Sequence, residues 1–138
     1  MKKNYYITTT LPYLNAELHL GHAIEFIRAD VIARVKKAQG YDVFFNTGTD
    51  EHGIKIYRNA QAVGQAPQDY VDGLFAKFKE LLPQLGLSSD INIIRTTDEH
   101  HKASAQAFWN KCKENGFIYK KNYKIKYCVG CELEKTDS

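Results

Sequence analysis

Apolar residues return along this chain in two rhythms: short β-branched or aromatic runs, and longer stretches that repeat every three or four positions. Tyr5-Tyr6-Ile7-Thr8-Thr9-Thr10 is of the first kind and predicts a strand over about residues 4–10. Ala23, Ile24, Ile27, Val31 and Val35 are of the second and predict a helix from about residue 21 to Lys37 or Ala38, stopped by Gly40. Tyr41–Asn46 reads as a second strand. Pro67 suits a helix first turn, and Val71, Leu74, Phe75, Phe78, Leu82 and Leu85 give the apolar stripe of the helix that follows. Pro83 should strain or end that helix, with Gly86 finishing it. Ile91–Ile94 has the short apolar form of a buried parallel strand. A last helix, about Asp98 to Asn115, is expected to bury Ala105, Phe108, Trp109 and Cys112 before Gly116 closes it. Strands alternating with helices argue an α/β protein with a parallel sheet, here half of a doubly wound nucleotide-binding fold. From Phe117 the pattern turns to Tyr- and Lys-rich short strands, so we place a boundary there, dividing residues 1–116 from 117–138.

Composition changes this picture little. At 138 residues, 43% hydrophobic and 25% charged, the chain is an ordinary globular sequence, long enough for one domain and the start of a second. The net charge of +3 is unevenly spread: residues 1–100 hold 11 Lys/Arg and 12 Asp/Glu, whereas residues 101–138 hold 8 and 4. Lys120, Lys121, Lys124 and Lys126 could meet RNA phosphates, although a lysine run is more often a solvated face. No secretory signal and no membrane-spanning apolar run is present, and three cysteines do not make a disulfide framework. These features point to a cytoplasmic protein with no membrane partner.

The chemistry begins at His19-Leu20-Gly21-His22, between the first strand and the first helix. A helix amino end offers N–H groups and a positive dipole end to phosphate. His19 and His22 can donate hydrogen bonds to a phosphate chain, and Gly21 leaves room for a flat base against the backbone. The bland alternative makes one histidine a helix cap and the other a surface residue. Asp50 follows the second strand at the carboxyl edge where open α/β sheets bind ligands, although Thr49-Asp50-Glu51-His52-Gly53 is also reasonable turn chemistry. His52 shares that run and could face the site, while Glu51 reads as solvated or as a helix-start charge. Cys128 and Cys131 form one C-x-x-C knuckle, half of what a structural zinc site needs, with a redox pair as the weaker alternative.

Together these segments resemble the class I aminoacyl-tRNA synthetases, and within them the methionine-specific family, over essentially the whole chain. The resemblance rests on Thr10-Leu11-Pro12-Tyr13, on the His-x-Gly-His motif, on Gly40-Tyr41-Asp42-Val43-Phe44-Phe45, on Thr47-Gly48-Thr49-Asp50-Glu51-His52-Gly53 and on Tyr127-Cys128-Val129-Gly130-Cys131-Glu132. It implies a Rossmann-like catalytic domain, of which residues 1–116 are the amino-terminal half, followed from residue 117 by the start of a β-rich connective, zinc-knuckle insert. It implies methionine, ATP with Mg²⁺ and tRNA(Met) as substrates. His19 and His22 become catalytic candidates, with Gly21 and Glu25 beside them in the ATP site. Asp50 would meet the substrate amino group, His52 would lie near it, and Leu11 and Tyr13 would line the methionine pocket. Thr10 replaces a small residue often seen at its position. Cys128 and Cys131 would hold zinc with a second cysteine pair further along.

The family's second signature, Lys-Met-Ser-Lys-Ser, does not occur in the chain. The expectation is therefore a segment that by itself is inactive, and marginal or self-associating, and that needs a carboxyl-terminal half or a complementary chain. Three alternatives stay open: a leucine-, valine- or isoleucine-specific relative, a non-catalytic ATP- or RNA-binding module, and a small adenylyltransferase.

Overall fold

The structure, a computed structural model, describes residues 2–128, 130–131 and 133–135. Strand β1 (Asn4–Thr8), helix α1 (Leu20–Ala38), strand β2 (Asp42–Thr49), helices α2 (Ile54–Ala62) and α3 (Pro67–Gln84) and strand β3 (Asn92–Arg95) build a first compact unit that ends at His101. The strands pair in the order β1-β2-β3, and both pairings are parallel, with Tyr6 beside Phe44 and Gly48 beside Ile94. Parallel neighbours need crossover connections, and the helices supply them. This is the half of a Rossmann-like sheet that the alternating pattern predicts.

Helix α1 reaches the sheet through a face the sequence pattern did not single out. Phe26, Ala29 and Ala33 are buried, the alanines against Phe45, Ile7 and Val43. Of the predicted stripe only Ala23 is buried, while Ile24, Ile27, Val31 and Val35 are exposed. Both stripes fit a 3.6-residue repeat, so periodicity alone cannot choose between them. Size decides, because alanines let the helix approach the strands closely. Phe78 of α3 meets Phe26 edge to face, ring centres 5.8 Å apart, with Leu82 alongside. A second cluster joins Leu14 to Ile56 and Val71, which ties the segment after β1 to α2 and α3.

The strand ends differ from the expectation in a useful way. β1 stops at Thr8, but the Thr9 N–H still donates to the Asn46 carbonyl at 3.3 Å. β2 runs on past Asn46 to Thr49, and the two chain exits then bind each other. Asp50 N–H donates to Pro12 O and Leu14 N–H to Asp50 O, each at 2.8 Å. Pro83 sits inside α3 but in its last turn, so the N–H it lacks interrupts the helix only where it ends, and Gly86 at φ +70° follows.

The second unit starts at Lys102, inside helix α4 (Glu99–Glu114), whereas composition changes only at Phe117. It holds the antiparallel pair β4 (Lys126–Cys128) and β5 (Leu133–Lys135). The expected burial on α4 is not found. Phe108 is 71% and Trp109 58% exposed, and none of its residues is buried. An amphipathic stripe marks a face that can be covered, and no described residue covers this one. Val129 and Glu132 of the predicted knuckle lie outside the described residues. No helix among the described residues is long and apolar enough to cross a membrane.

Candidate functional site at the carboxyl edge of the sheet

Parallel strands bring all their carboxyl ends to one edge, and α1 begins at that edge because its loop follows β1. Most of the candidate residues therefore gather there. Cys128 and Cys131 belong to the second unit.

His19 is the N-cap of α1, and its ring Nδ1 accepts the Gly21 N–H at 3.1 Å. The His22 Nδ1 accepts the His19 N–H at 3.3 Å, closing a reciprocal capping box built from two imidazoles. The rings stack with centres 3.9 Å apart. Capping and ligand binding are thus compatible rather than alternatives. A neutral imidazole that accepts at Nδ1 carries its proton on Nε2, so both rings keep an Nε2–H donor for another partner. The backbone N–H groups expected to meet phosphate are partly spoken for by the two rings.

Burial, and then the neighbouring His19 ring, hold the His22 pKa below the ordinary imidazole value, against a smaller upward pull from Glu25. The folded value lies below the unfolded one. Its stabilising contribution is therefore complete above the unfolded value of about 6.5 and is lost as pH falls through the folded value. Protonation of His22 at Nδ1 ends its bond to the His19 N–H. The His19 amide resonance is accordingly expected to titrate with the His22 ring, and a pH-independent amide would contradict the reciprocal cap.

Gly21 has a reason to be glycine within the chain itself. A Cβ there would stand 2.9 Å from Cε1 and 3.0 Å from Nδ1 of His19, so the ring would have to leave its cap position. Gly21→Ala gains helix propensity and loses a cap, each about 1 kcal/mol. The melting temperature should therefore barely move, which a thermal melt checks, and a fall of many degrees would contradict the balance.

Glu25, one turn into α1, grips the exit of β1. Its Oε1 accepts the Thr10 N–H at 2.7 Å and its Oε2 the Thr10 hydroxyl at 2.6 Å. These bonds hold the Glu25 carboxyl below its ordinary pKa. The threonine that stands in place of a small residue thus supplies the second bond of a strap. Leu11 is half-buried, Pro12 is buried, and Tyr13 packs against the Leu14–Ile56–Val71 cluster. Tyr13 also bridges Asp50 in parallel fashion. Its hydroxyl occupies the space where a Cβ of Gly53 would lie, and Gly53 has φ +137°. Tyr13 therefore packs into the core on one side and against Gly53 on the other.

Asp50 is half-buried at the end of β2, and its Oδ1 receives the His52 N–H at 3.4 Å. His52 is exposed, with Nε2 3.1 Å from the Thr96 carbonyl, so Nε2 carries the proton and donates. Glu51 overturns its expectation. It is not solvated: its side chain is fully buried and accepts from Thr49 Oγ1 at 2.6 Å, Arg95 Nε at 2.7 Å and Thr97 Oγ1 at 2.5 Å. Its N–H donates to Thr96 Oγ1 at 2.8 Å. Arg95 also binds Asp72 of α3 through Nη2 and lies over the Phe75 ring, 4.3 Å from its centre. Arg95, Thr96 and Thr97 were missed in the sequence; their one signal is a position at the end of a strand or directly after it, at the carboxyl edge of the sheet.

In the knuckle, the Cys131 N–H donates to Cys128 Sγ at 3.3 Å. Such a bond suits a thiolate that also holds a metal. Among the described residues no group of three or more metal-capable side chains gathers.

Comparison with known proteins adds independent findings. The sequence pattern of the family "tRNA synthetases class I (M)" matches residues 5–138. A methionine–tRNA ligase of Thermotoga maritima is 52% identical over 128 residues, 93% of this chain and 20% of that protein. One of Caldanaerobacter subterraneus subsp. tengcongensis is 46% identical over 138 residues, all of this chain and 22% of its own length. The Mycobacterium tuberculosis methionyl-tRNA synthetase in complex with methionyl-adenylate superposes with a TM-score of 0.91 at 39% identity, covering 98% of this chain and 26% of that one. The chain spans about a fifth of the length of these curated relatives.

Proposed function

The chain belongs to the class I tRNA synthetases of the (M) family, and on that premise we propose that it carries the ATP- and methionine-handling edge of a methionine–tRNA ligase. The observation that carries this reading is the capping box. Two neutral imidazoles, each locked by a backbone bond at Nδ1, hold two Nε2–H donors side by side at a helix amino end. Activation of methionine joins its carboxylate oxygen to the α-phosphorus of ATP, and the bond from that phosphorus to the pyrophosphate oxygen breaks. Charge grows on phosphate oxygens, so fixed donors are what the step needs. His19 and His22 supply them in this account. Gly21 keeps the first ring in place, and Glu25 serves the ATP site by strapping α1 to Thr10. Magnesium bound to ATP would supply charge neutralisation at the phosphate oxygens.

Asp50 would receive the ammonium group of methionine, with His52 beside it and Leu11 and Tyr13 against the thioether side chain. The tRNA(Met) 3′ hydroxyl would then attack the acyl carbon and release AMP. Residues 1–116 form the amino-terminal half of the catalytic domain in this reading, and 117–138 open the connective insert. Cys128 and Cys131 would give a structural zinc two thiolates, leaving the other ligands to residues outside the described set. The reaction also draws on groups from outside this fifth of the relatives' length, in the same polypeptide or a complementary one. The chain alone is expected to be inactive, and its natural place is the cytoplasm.

The test joins the chain to the remainder of the Thermotoga maritima ligase and measures exchange of pyrophosphate into ATP. Methionine should drive exchange well above leucine, valine or isoleucine, and His19→Ala should abolish it. Exchange driven equally by those other amino acids would overturn the assignment.

A further inference from the structure

We propose that the buried Glu51–Arg95 pair is a positioning device for amino-acid recognition, fixing the Asp50–His52 turn to the end of β3 so that Asp50 presents its carboxylate at the sheet edge. The proposal rests on the functional reading above. Its basis is the alternation in that turn: half-buried Asp50, fully buried Glu51 and exposed His52. A carboxylate is rarely enclosed unless it is paired and hydrogen-bonded, and Glu51 is both. One guanidinium and two hydroxyls donate to it, and they come from both flanks of the turn: Thr49 from β2, and Arg95 and Thr97 from the end of β3.

The backbone follows the same pattern. Thr96 takes the Glu51 N–H on its hydroxyl and the His52 ring on its carbonyl. On the other side, Asp50 exchanges backbone bonds with Pro12 and Leu14, on either side of Tyr13. The turn is thereby held between the β1 exit and the β3 exit. Arg95 reaches further, to Asp72, which also accepts from Gln68 of α3. These contacts hold the Asp72 carboxyl below its ordinary range, its bond from Arg95 contributing most. Arg95 divides its bonds between two carboxylates, Glu51 inside and Asp72 outside. Asp50 is the carboxylate of the turn that Arg95 does not engage.

A simply structural pair would lower stability without choosing between ligands. A positioning pair lowers affinity for the amino acid and spares ATP, whose donors sit on α1. The experiment uses the full chain, labelled with nitrogen-15, in wild-type, Glu51→Gln and Asp72→Asn forms, titrated with L-methionine and separately with ATP. Glu51→Gln should weaken the methionine response of the Asp50 and His52 amides about tenfold, the effect of losing a charged hydrogen bond. The ATP response of Gly21 and His22 should stay unchanged. Asp72→Asn, at the exposed end of the network, should act in the same direction by a smaller factor and guards against a misfolded first variant. Equal weakening of both ligands, or of neither, in folded variants would overturn the proposal. Hydrogen exchange separates this from a failure of the functional reading. The Asp50 and Leu14 amides should exchange about tenfold faster in Glu51→Gln even if wild-type ignores methionine, and unchanged exchange would sink the positioning role.

Discussion

His22→Ala is expected to lower methionine-dependent pyrophosphate exchange by the completed enzyme about a hundredfold to a thousandfold, the range for deleting one preorganised donor to a developing oxyanion. The effect on folding should be far smaller. His22 gives one bond of the α1 cap, worth about 1 kcal/mol, while the core beneath it is built by Ala23, Phe26 and Ala29. The variant separates two roles that one ring plays at once. His22→Asn is the informative companion, because its amide can still accept the His19 N–H yet places its donor elsewhere. Cap stability should return in the asparagine variant without exchange activity. If exchange returned fully, cap formation alone would explain the motif and the Nε2–H groups would have no catalytic part. Melting curves and exchange rates on the same samples decide it.

Gly48→Ala is expected to cost about 3 kcal/mol or more, because overpacking against an immovable neighbour forces backbone shifts. A Cβ at position 48 would lie far inside van der Waals contact with the Ile94 carbonyl oxygen and 2.8 Å from Ile94 Cγ1. The carbonyl is backbone of the paired strand, so no side chain can swing aside. The β2–β3 pairing also sets the register that brings Thr49 beside Arg95. The variant should therefore lose the Glu51 network along with sheet stability, seen as early denaturant unfolding and fast exchange of the β2 and β3 amides. A native-like melting temperature would contradict the strand spacing described here.

The order of strands and helices was legible because periodicity reports secondary structure directly. The His-x-Gly-His junction was legible because chemistry and element boundary coincide in consecutive residues. The face of α1 was not, since Ile24, Ile27, Val31 and Val35 keep the same repeat as the alanines that touch the sheet. Glu51 was unreadable for a different reason. A carboxylate inside a Thr-Asp-Glu-His-Gly run looks like turn chemistry, and only partners 44 and 46 positions away show why it is buried. Long-range pairing of this kind leaves no local mark. The stripe on α4 erred in the opposite direction, with a correct amphipathic pattern and no cover among the described residues.

The exposed face of α1 belongs to the same lesson. Tyr6 and Phe44 stack on the uncovered side of the sheet with ring centres 5.6 Å apart, 63% and 52% exposed. Among the described residues no strand pairs with the outer edge of β1.

A structure of the protein with methionyl-adenylate bound tests the central claim most directly. The phosphate is expected within hydrogen-bond reach of Nε2 of His19 and His22, and the ammonium group on the Asp50 carboxylate. A phosphate that leaves both imidazoles unengaged, or an ammonium group held away from Asp50, would contradict it.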